Sequence, residues 1–374
     1  NTVLDCDGVL RTSTVLLNPT TEEEEQKLQE LAEASSMLWN IANYERRGAF
    51  FEHSKVPSYS TQCRSLKNTE AFRKLGTCKA QALLQKLDES WRSFWALLRL
   101  KKKGRLPLHI RRLSPPRYWK KDGKRTLKGF YVRNDGWRMS DSAISVSRQT
   151  SVPYRCGQLW VGKQGRLEVV RDGVTGRWYA HVPVEVQQPP RRTSSKKGSL
   201  DLGICNLATL YIENESPVIY SGRAVLSDWV YRTKKIAERQ SKLPKRKRAS
   251  RQISIAYRKR QRRLGHAVNS MLRDVFERLE ASDVGELIIG DLSHIREEAD
   301  HGDAGNQKLN NFWVFNMMAG RIYELGDEYG IGITKVSERD TSKTCCLCGR
   351  RHNGRIERGL MVCRATHKSI NADV

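Results

Sequence analysis

The chain has 374 residues and carries 67 lysines and arginines against 41 aspartates and glutamates, which gives a formal net charge of +26. Apolar residues make up 38% of the chain, enough for two or three domains with buried cores, and no apolar run is long enough to cross a bilayer. Such an excess of positive charge repels itself, and a polyanion such as nucleic acid is the usual partner that neutralises it. No stretch resembles an amphipathic lipid anchor, which argues against a membrane-surface protein.

The first part of the chain predicts one extended segment and then helices. Residues 1–17 form the extended segment. A helix is predicted over 20–48, because Thr20 or Thr21 can cap it and four glutamates fill its first turn. A second helix is predicted over 77–102 from apolar residues at helical spacing. Residues 18–104 are therefore interpreted as a helical lobe.

The middle of the chain predicts β-structure. Over 105–190, prolines break helices, and short alternating runs are separated by glycine turns, which indicates a small antiparallel β domain. Residues 191–198 have the composition of a linker.

The C-terminal half, 199–374, predicts an α/β domain. Its pattern indicates a strand hairpin from 199, with a second arm around 217–221, and then a basic helical stretch over 229–264 that is followed by a helix to about Leu279. A buried strand follows at 286–290, then a helix at 310–329 and a strand at 331–336. This order is the one expected of an RNase H-type core, although order alone fits many α/β folds.

Four of the nine cysteines cluster near the C-terminus, which is typical of a metal site in a reducing compartment rather than of a disulfide framework. Cys345 and Cys348 form one close pair, and Cys363 and His367 form another. Two such pairs can place four ligands about 2.0–2.3 Å from one Zn²⁺. We predict a structural zinc with these ligands; His352 is the alternative to His367 as the fourth. A catalytic zinc is disfavoured, because four protein ligands leave no position for water.

Three carboxylates lie at predicted element ends. Asp201 ends an apolar strand, Glu338 follows the strand that ends at Val336, and Asp373 lies just beyond the zinc ligands. Each is unremarkable alone: a turn aspartate, a solvated loop charge and an acid near a chain end. Brought together, they could hold two Mg²⁺ ions, which activate water and stabilise the leaving oxygen in phosphodiester hydrolysis.

The run 232–263 is strongly basic and contains almost no acids. A solvated charged face would normally mix signs, so we predict that a helix here binds nucleic-acid phosphates and sets affinity rather than sequence preference. A nuclear signal at Lys245–Arg248 is the alternative. The cations and aromatics around Arg111–Lys121 are a weaker second candidate. The candidate phosphate contacts are Lys234, Lys235, Lys245, Arg246, Lys247, Arg248, Arg251, Arg258, Arg260 and Arg262.

The region from Leu106-Pro107 to Trp119 resembles the archaeal branch of TnpB, the OrfB-type protein of insertion sequences that is related to type V CRISPR effectors. Four other stretches resemble the TnpB family more specifically. They are Asp201-Leu-Gly-Ile204, Ile288-Ile-Gly-Asp-Leu-Ser-His-Ile-Arg296, Thr341-Ser-Lys-Thr-Cys-Cys-Leu-Cys-Gly349 and Asn371-Ala-Asp373.

The resemblance implies a RuvC-like nuclease over 199–374 with a zinc finger at about 341–368. It also implies a helical recognition lobe over 18–104, and a barrel-like wedge domain over 105–190 whose first strand is 1–17. The implied activity is Mg²⁺-dependent cleavage of double-stranded DNA, directed by a guide RNA from the transposon end, in a prokaryotic, nucleoid-associated cytoplasmic setting. Oligomeric state is not implied.

The chain departs from the family pattern at Gly290, where the second catalytic acid is usually a glutamate. Asp291 could replace it, but adjacent strand residues point to opposite faces. Glu338 on an adjoining strand is the favoured replacement, since some family branches have a relocated glutamate. A catalytically inactive RNA-guided or non-specific DNA-binding remnant is the alternative, and a strand-joining transposase is a third. The start at Asn1 and the end at Val374, one residue after Asp373, predict a fragment or a truncated gene.

Overall fold

A computed structural model describes residues 8–107, 110–121, 124–147, 149–157, 159–247, 249–291, 302–307, 312, 314–337, 344–345, 347–351, 355–356 and 360–371. The chain divides into two compact units, Asn1–Gln187 and Gln188–Val374. The boundary therefore falls a few residues before the predicted linker.

Unit 1 contains an antiparallel sheet that gathers strands from both ends of its sequence. The strands are β1 Val9–Leu17, β2 Lys120–Lys121, β3 Lys124–Arg125, β4 Gly129–Val132, β5 Arg138–Met139, β6 Ala143–Ser147, β7 Thr150–Arg155, β8 Lys163–Gln164, β9 Leu167–Arg171 and β10 Trp178–Val186. The first strand, β1, pairs along its whole length with β10, and both lie in a sheet of order β4-β9-β10-β1-β7-β6-β5, in which β8 also pairs with β10. A separate pair joins β2 to β3.

Four helices lie between β1 and β2. They are α1 Glu22–Phe51, α2 Tyr59–Ser65, α3 Glu70–Leu75 and α4 Thr77–Lys102. The predicted start of α1 is confirmed: the Thr21 hydroxyl accepts a hydrogen bond from the Glu24 N–H at 3.2 Å, and the Glu24 carboxylate accepts from the Thr20 and Thr21 N–H groups. Helix and strand residues share one hydrophobic core, in which Leu38, Leu87, Phe130 and Trp178 are buried.

Unit 2 is built on a five-stranded mixed sheet of order β13-β12-β11-β14-β15. The strands β11 Lys197–Leu202, β12 Asn206–Ile212 and β13 Val218–Ser221 form an antiparallel meander, while β14 Glu286–Gly290 and β15 Gly332–Val336 run parallel to β11. The predicted strands at 286–290 and 331–336 are thus confirmed to within a residue. β11 begins at Lys197, inside the predicted linker.

The helices of unit 2 are α5 Arg223–Ser241, α6 Arg251–Ala281, α7 Gly302–Gln307 and α8 Phe315–Tyr329. Apolar residues of α6 and α8, among them Phe276 and Ile322, form a second core with Leu200, Leu210 and Ile289 of the sheet. Among the described helices, none combines the length and apolar character that crossing a membrane requires.

The prediction of a helical stretch unbroken from 229 to 264 is wrong. Helix α5 ends at Ser241, and α6 begins only at Arg251, with the Ser250 hydroxyl accepting from the Ile253 N–H at 3.3 Å. Pro244 lies between them; it disfavours helical backbone at Leu243 and cannot donate a helical hydrogen bond. The basic residues from Lys245 to Lys247 consequently lie in the connection and not on a helix.

Near the C-terminus, three short strands form an antiparallel ribbon of order β16-β17-β18. They are β16 Arg355–Ile356, β17 Leu360–Val362 and β18 Ser369–Asn371. The ribbon brackets the second of the two predicted ligand pairs.

Candidate functional site

Asp201 lies near the carboxyl end of β11, the central strand of the unit 2 sheet. Leu200 and Leu202 on either side of it are buried, whereas Asp201 is exposed on the opposite face. The same face carries the ion pair between Lys197 Nζ and Glu286 Oε2 at 3.2 Å, which shows that β11 and β14 present these alternate residues together. The carboxyl ends of parallel strands in open α/β sheets are common ligand sites.

The strand register places Gly290 beside Asp201. Leu200 pairs with Ile289 across the parallel strands β11 and β14, so Gly290 is the next partner in line, and Gly290 in turn pairs with Val336 of β15. Residues in register on parallel strands point to the same face, which leaves a position without a side chain directly next to the Asp201 carboxylate. That is the position where the resemblance calls for a glutamate.

Asp291 follows β14 and is exposed; its N–H donates to the Val336 carbonyl at 2.8 Å, which fixes the backbone there. Glu338 and Asp373 lie outside the described residues. Of the three predicted catalytic carboxylates, the structure therefore positions Asp201.

The predicted zinc ligands lie on two tight turns that are closed in the same way. In the first, the Gly349 N–H donates to the Cys345 carbonyl at 2.8 Å and the Cys345 N–H donates to the Arg350 carbonyl at 3.0 Å. In the second, the His367 N–H donates to the Cys363 carbonyl at 2.8 Å and the Cys363 N–H donates to the Lys368 carbonyl at 2.9 Å. Gly349 adopts φ +67°, where a residue with a Cβ is strained.

These turns bring three thiols together. The sulfur atoms of Cys345, Cys348 and Cys363 all lie within 4.8 Å of one another, with Cys345 and Cys363 buried. Sulfurs that share one tetrahedral Zn²⁺ at about 2.3 Å lie about 3.8 Å apart, so the cluster has the dimensions and the soft donors that zinc requires.

The neighbouring thiols affect the pKa of Cys348. A backbone hydrogen bond at Arg350 lowers the pKa of the Cys348 thiol, but loss of hydration and the neighbouring Cys345 and Cys363 thiols raise it by more. A bound cation would reverse that balance, since thiolates are the metal-ligating form.

The predicted fourth ligand, His367, is not part of the group of converging side chains among the described residues. His367 is four residues after Cys363 on the second turn, with φ +54° and an exposed side chain. Among the described residues, the convergent group consists of the three cysteines. The alternative ligand, His352, lies outside the described residues.

The candidate phosphate contacts follow α5, the connection and α6. Those that the structure describes as exposed are Lys234, Lys235, Lys245, Arg246, Lys247, Arg251, Arg258 and Arg262. Lys235 Nζ is paired with Glu238 at 3.1 Å, a contact that solvent screens. Arg248 lies outside the described residues.

Arg260 differs from the other candidates, because it is half-buried. Its guanidinium lies over the rings of Trp229 and Tyr257, at 4.8 and 5.0 Å from their centroids, and Nη1 donates to the Thr233 hydroxyl at 2.8 Å. The sequence analysis grouped Arg260 with the other candidate phosphate contacts and did not single out Trp229. The available signal for Trp229 was its position, three residues before the basic run begins.

Comparison with known proteins covers both units. The model of a family described as probable transposase (OrfB_IS605) matches residues 181–296, and that of the Cas12f1-like TNB domain matches residues 315–374. The chain is 30% identical to the TnpB-like protein ORF457 of Acidianus two-tailed virus over 96% of this chain and 83% of that protein.

Two further relatives carry the name Cas12f1. The CRISPR-associated endodeoxyribonuclease Cas12f1 of an uncultured archaeon is 22% identical over 59% of this chain and 42% of that protein. A cryo-EM structure of a Cas12f1–sgRNA–target DNA complex matches with a TM-score of 0.55 at 15% identity, covering 89% of this chain and 77% of that one. That likeness shows a shared fold.

Proposed function

The chain belongs to the TnpB family, and from this premise we propose that it is an RNA-guided endonuclease that cleaves double-stranded DNA with the help of divalent cations. The observation that carries the proposal is Asp201, an exposed carboxylate at the carboxyl end of the central strand of the sheet. The strand order, in which the third, second, first, fourth and fifth strands are neighbours, fits the RNase H-like core that a RuvC nuclease requires. The similarity to a named endodeoxyribonuclease supports the same chemistry.

The proposed catalytic set is Asp201, Glu338 and Asp373. These carboxylates would hold two Mg²⁺ ions, which would activate water for attack on the phosphodiester and stabilise the leaving oxygen. The protein's own contribution is to orient the carboxylates: Asp201 is fixed by pairing of β11 with both β12 and β14. Glu338 comes two residues after Val336, the partner of Gly290. Because alternate residues of an extended chain share a face, a continuation of β15 would turn Glu338 to the face of Gly290, and we therefore assign it the role of the missing acid.

The cysteine cluster is proposed to hold one structural Zn²⁺, with His367 as the fourth ligand. Its donor set fits zinc because three soft sulfur donors converge, two of them buried. The second turn leads directly into β18, which ends at Asn371, two residues before Asp373. The zinc would therefore hold the segment that precedes a catalytic acid.

Glu338→Ala should abolish cleavage, and Gly290→Glu in that background should restore part of it. The expected restoration follows from the register, because a glutamate at 290 would stand next to Asp201 on the exposed face. The measurement is Mg²⁺-dependent cleavage of a target duplex by guide-loaded protein, with Asp291→Asn as the matched control. Full cleavage by Glu338→Ala would reject the role assigned to Glu338, and loss of cleavage in Asp291→Asn alone would transfer that role to Asp291.

Guide dependence is tested by the RNA that co-purifies with the protein. We expect a discrete RNA that matches the end of the encoding element, and cleavage only of duplexes that pair with its variable part. Digestion of this RNA should remove cleavage, and adding it back should restore cleavage. Recovery of only heterogeneous cellular RNA, with cleavage independent of sequence, would contradict RNA guidance.

Gly290 favours a second candidate function, that of an RNA-guided or non-specific DNA-binding protein without catalysis. Without a carboxylate at this position, the metal site loses one ligand unless another acid replaces it. One experiment distinguishes the two candidate functions. A binding protein would protect its target DNA from added nuclease and leave it intact in Mg²⁺, whereas an endonuclease would cleave it.

A further inference from the structure

A cavity of about 530 Å³ lies in unit 2, lined by the first half of α5 and the middle of α6. This volume falls within the range of about 300–1,000 Å³ that is usual for ligand sites. Its polar lining comes from Asp228 and Trp229 on α5 and from Arg260, Arg262, Arg263 and His266 on α6, and the rest of its lining is apolar. Most of the polar residues in the lining can therefore donate hydrogen bonds.

Two of the lining N–H groups are buried and have no hydrogen-bond partner within the part of the chain that the structure describes. They are Nε1 of Trp229 and Nε of Arg260, which belong to lining residues and are themselves shielded from solvent. Trp229 is only 3% exposed, and its ring is held from one side by the Arg260 guanidinium and from another by Phe312. A buried donor without an acceptor costs free energy, so two of them at one cavity indicate an acceptor that the cavity receives.

The charges around the cavity favour an anion as that acceptor. Asp228, the acid in the lining, already accepts hydrogen bonds from Arg232 and Arg263, each at 2.9 Å, and these arginines lower the pKa of its carboxyl. Its negative charge is therefore compensated. The contacts of Arg260 are a hydroxyl and two aromatic rings, and burial lowers the pKa of its guanidinium, because the charged form loses water there. Among the residues that the structure describes, none forms an ion pair with Arg260.

We propose that this cavity holds one phosphate group of a bound RNA strand, with Trp229 Nε1 and Arg260 Nε donating to its oxygens. The inference rests on the proposed function, which supplies the RNA. A phosphate oxygen accepts charge-assisted hydrogen bonds and carries the charge that Arg260 needs. Whereas the exposed lysines and arginines of the connection attract RNA from any direction, two fixed donors inside a cavity would set the position of one phosphate along the strand.

The direct test follows the Trp229 indole N–H by ¹⁵N NMR, with its resonance assigned by its absence in Trp229→Phe. A short single-stranded RNA and, separately, inorganic phosphate are titrated at constant ionic strength maintained with chloride. We expect the Trp229 resonance to move with both, and free phosphate to compete with the RNA for this shift. A Trp229 resonance that stays in place while RNA binds would overturn the proposal, and one that moves with phosphate but not with bound RNA would limit the site to small anions and equally reject the RNA assignment.

The variants test the energetic contribution. Trp229→Phe keeps the ring and removes the donor, and Arg260→Gln removes the charge; each should weaken RNA binding about tenfold, the usual scale for a hydrogen bond to a charged group. Arg239→Gln removes an equal charge from the exposed end of α5, outside the cavity, and should weaken binding by less than about twofold. Equal losses in Arg260→Gln and Arg239→Gln would contradict a specific site. Failure of wild-type protein to bind any RNA would contradict the proposed function instead. The response of the Trp229 resonance to inorganic phosphate would then still test whether the cavity binds an anion.

Discussion

Asp201→Asn should lower the rate of Mg²⁺-dependent DNA cleavage by at least about a thousandfold. Asparagine keeps the size of the side chain but removes the charge that holds the cations, and a loss of about 4 kcal/mol of transition-state stabilisation corresponds to that factor. Because Asp201 is exposed on the sheet face opposite the core, the substitution should leave the fold and RNA binding intact. Single-turnover cleavage at saturating guide RNA and target measures the effect.

The matched control for this variant is Asp283→Asn. Asp283 is an exposed aspartate after α6 whose contact with Arg192 is a surface ion pair, and its φ of +52° suits asparagine equally well. It should cleave at the wild-type rate. Cleavage by Asp201→Asn within tenfold of wild type would show that the metal centre lies elsewhere and would reject the catalytic role assigned to Asp201.

Cys363→Ser should eliminate stable zinc binding and, with it, most of the cleavage activity. Cys363 is buried at the start of the second turn, and the bound ion would replace the mutual repulsion of thiolates with attraction. In small zinc-binding peptides such an ion contributes about 10–16 kcal/mol of apparent binding free energy, so its loss should unfold the ribbon β16–β18. Metal analysis after dialysis against a mild chelator should fall from one zinc per chain to almost none.

Cys205→Ser is the control for this experiment, because Cys205 is an exposed cysteine outside the cluster. It should retain its zinc and its activity. A Cys363→Ser protein that still holds one zinc per chain would contradict the assigned ligand set. His367→Ala and His352→Ala, compared in the same assay, would identify the fourth ligand by which of them releases the metal.

Local sequence signals predicted the features that depend on local chemistry. The spacing of Cys345 and Cys348 indicated a tight turn, and the structure forms one. Thr21 with Glu24 marked the start of α1, and the apolar run 286–290 marked β14. In each case the residues that produce the structure are neighbours in the chain.

Features that depend on contacts between residues far apart in the sequence could not be predicted from local patterns. The position of Gly290 beside Asp201 follows from parallel pairing of strands that lie some 80 residues apart in the sequence, which no local pattern encodes. The inward orientation of Arg260 depends on packing against Trp229 of another helix. The break at Pro244 was readable, but the run of charges around it favoured the wrong interpretation of a continuous helix.

The two hydrophobic cores draw their described members from separate halves of the chain, one ending at Val184 and the other beginning at Leu200. Such a division predicts modular behaviour: two transitions on heating, each moved by substitutions in its own half. Over evolutionary time, each half could therefore change its surface residues without disturbing the packing of the other core. Swapping the first half between relatives, with the junction placed near Gln187, should therefore give chains in which both cores still fold.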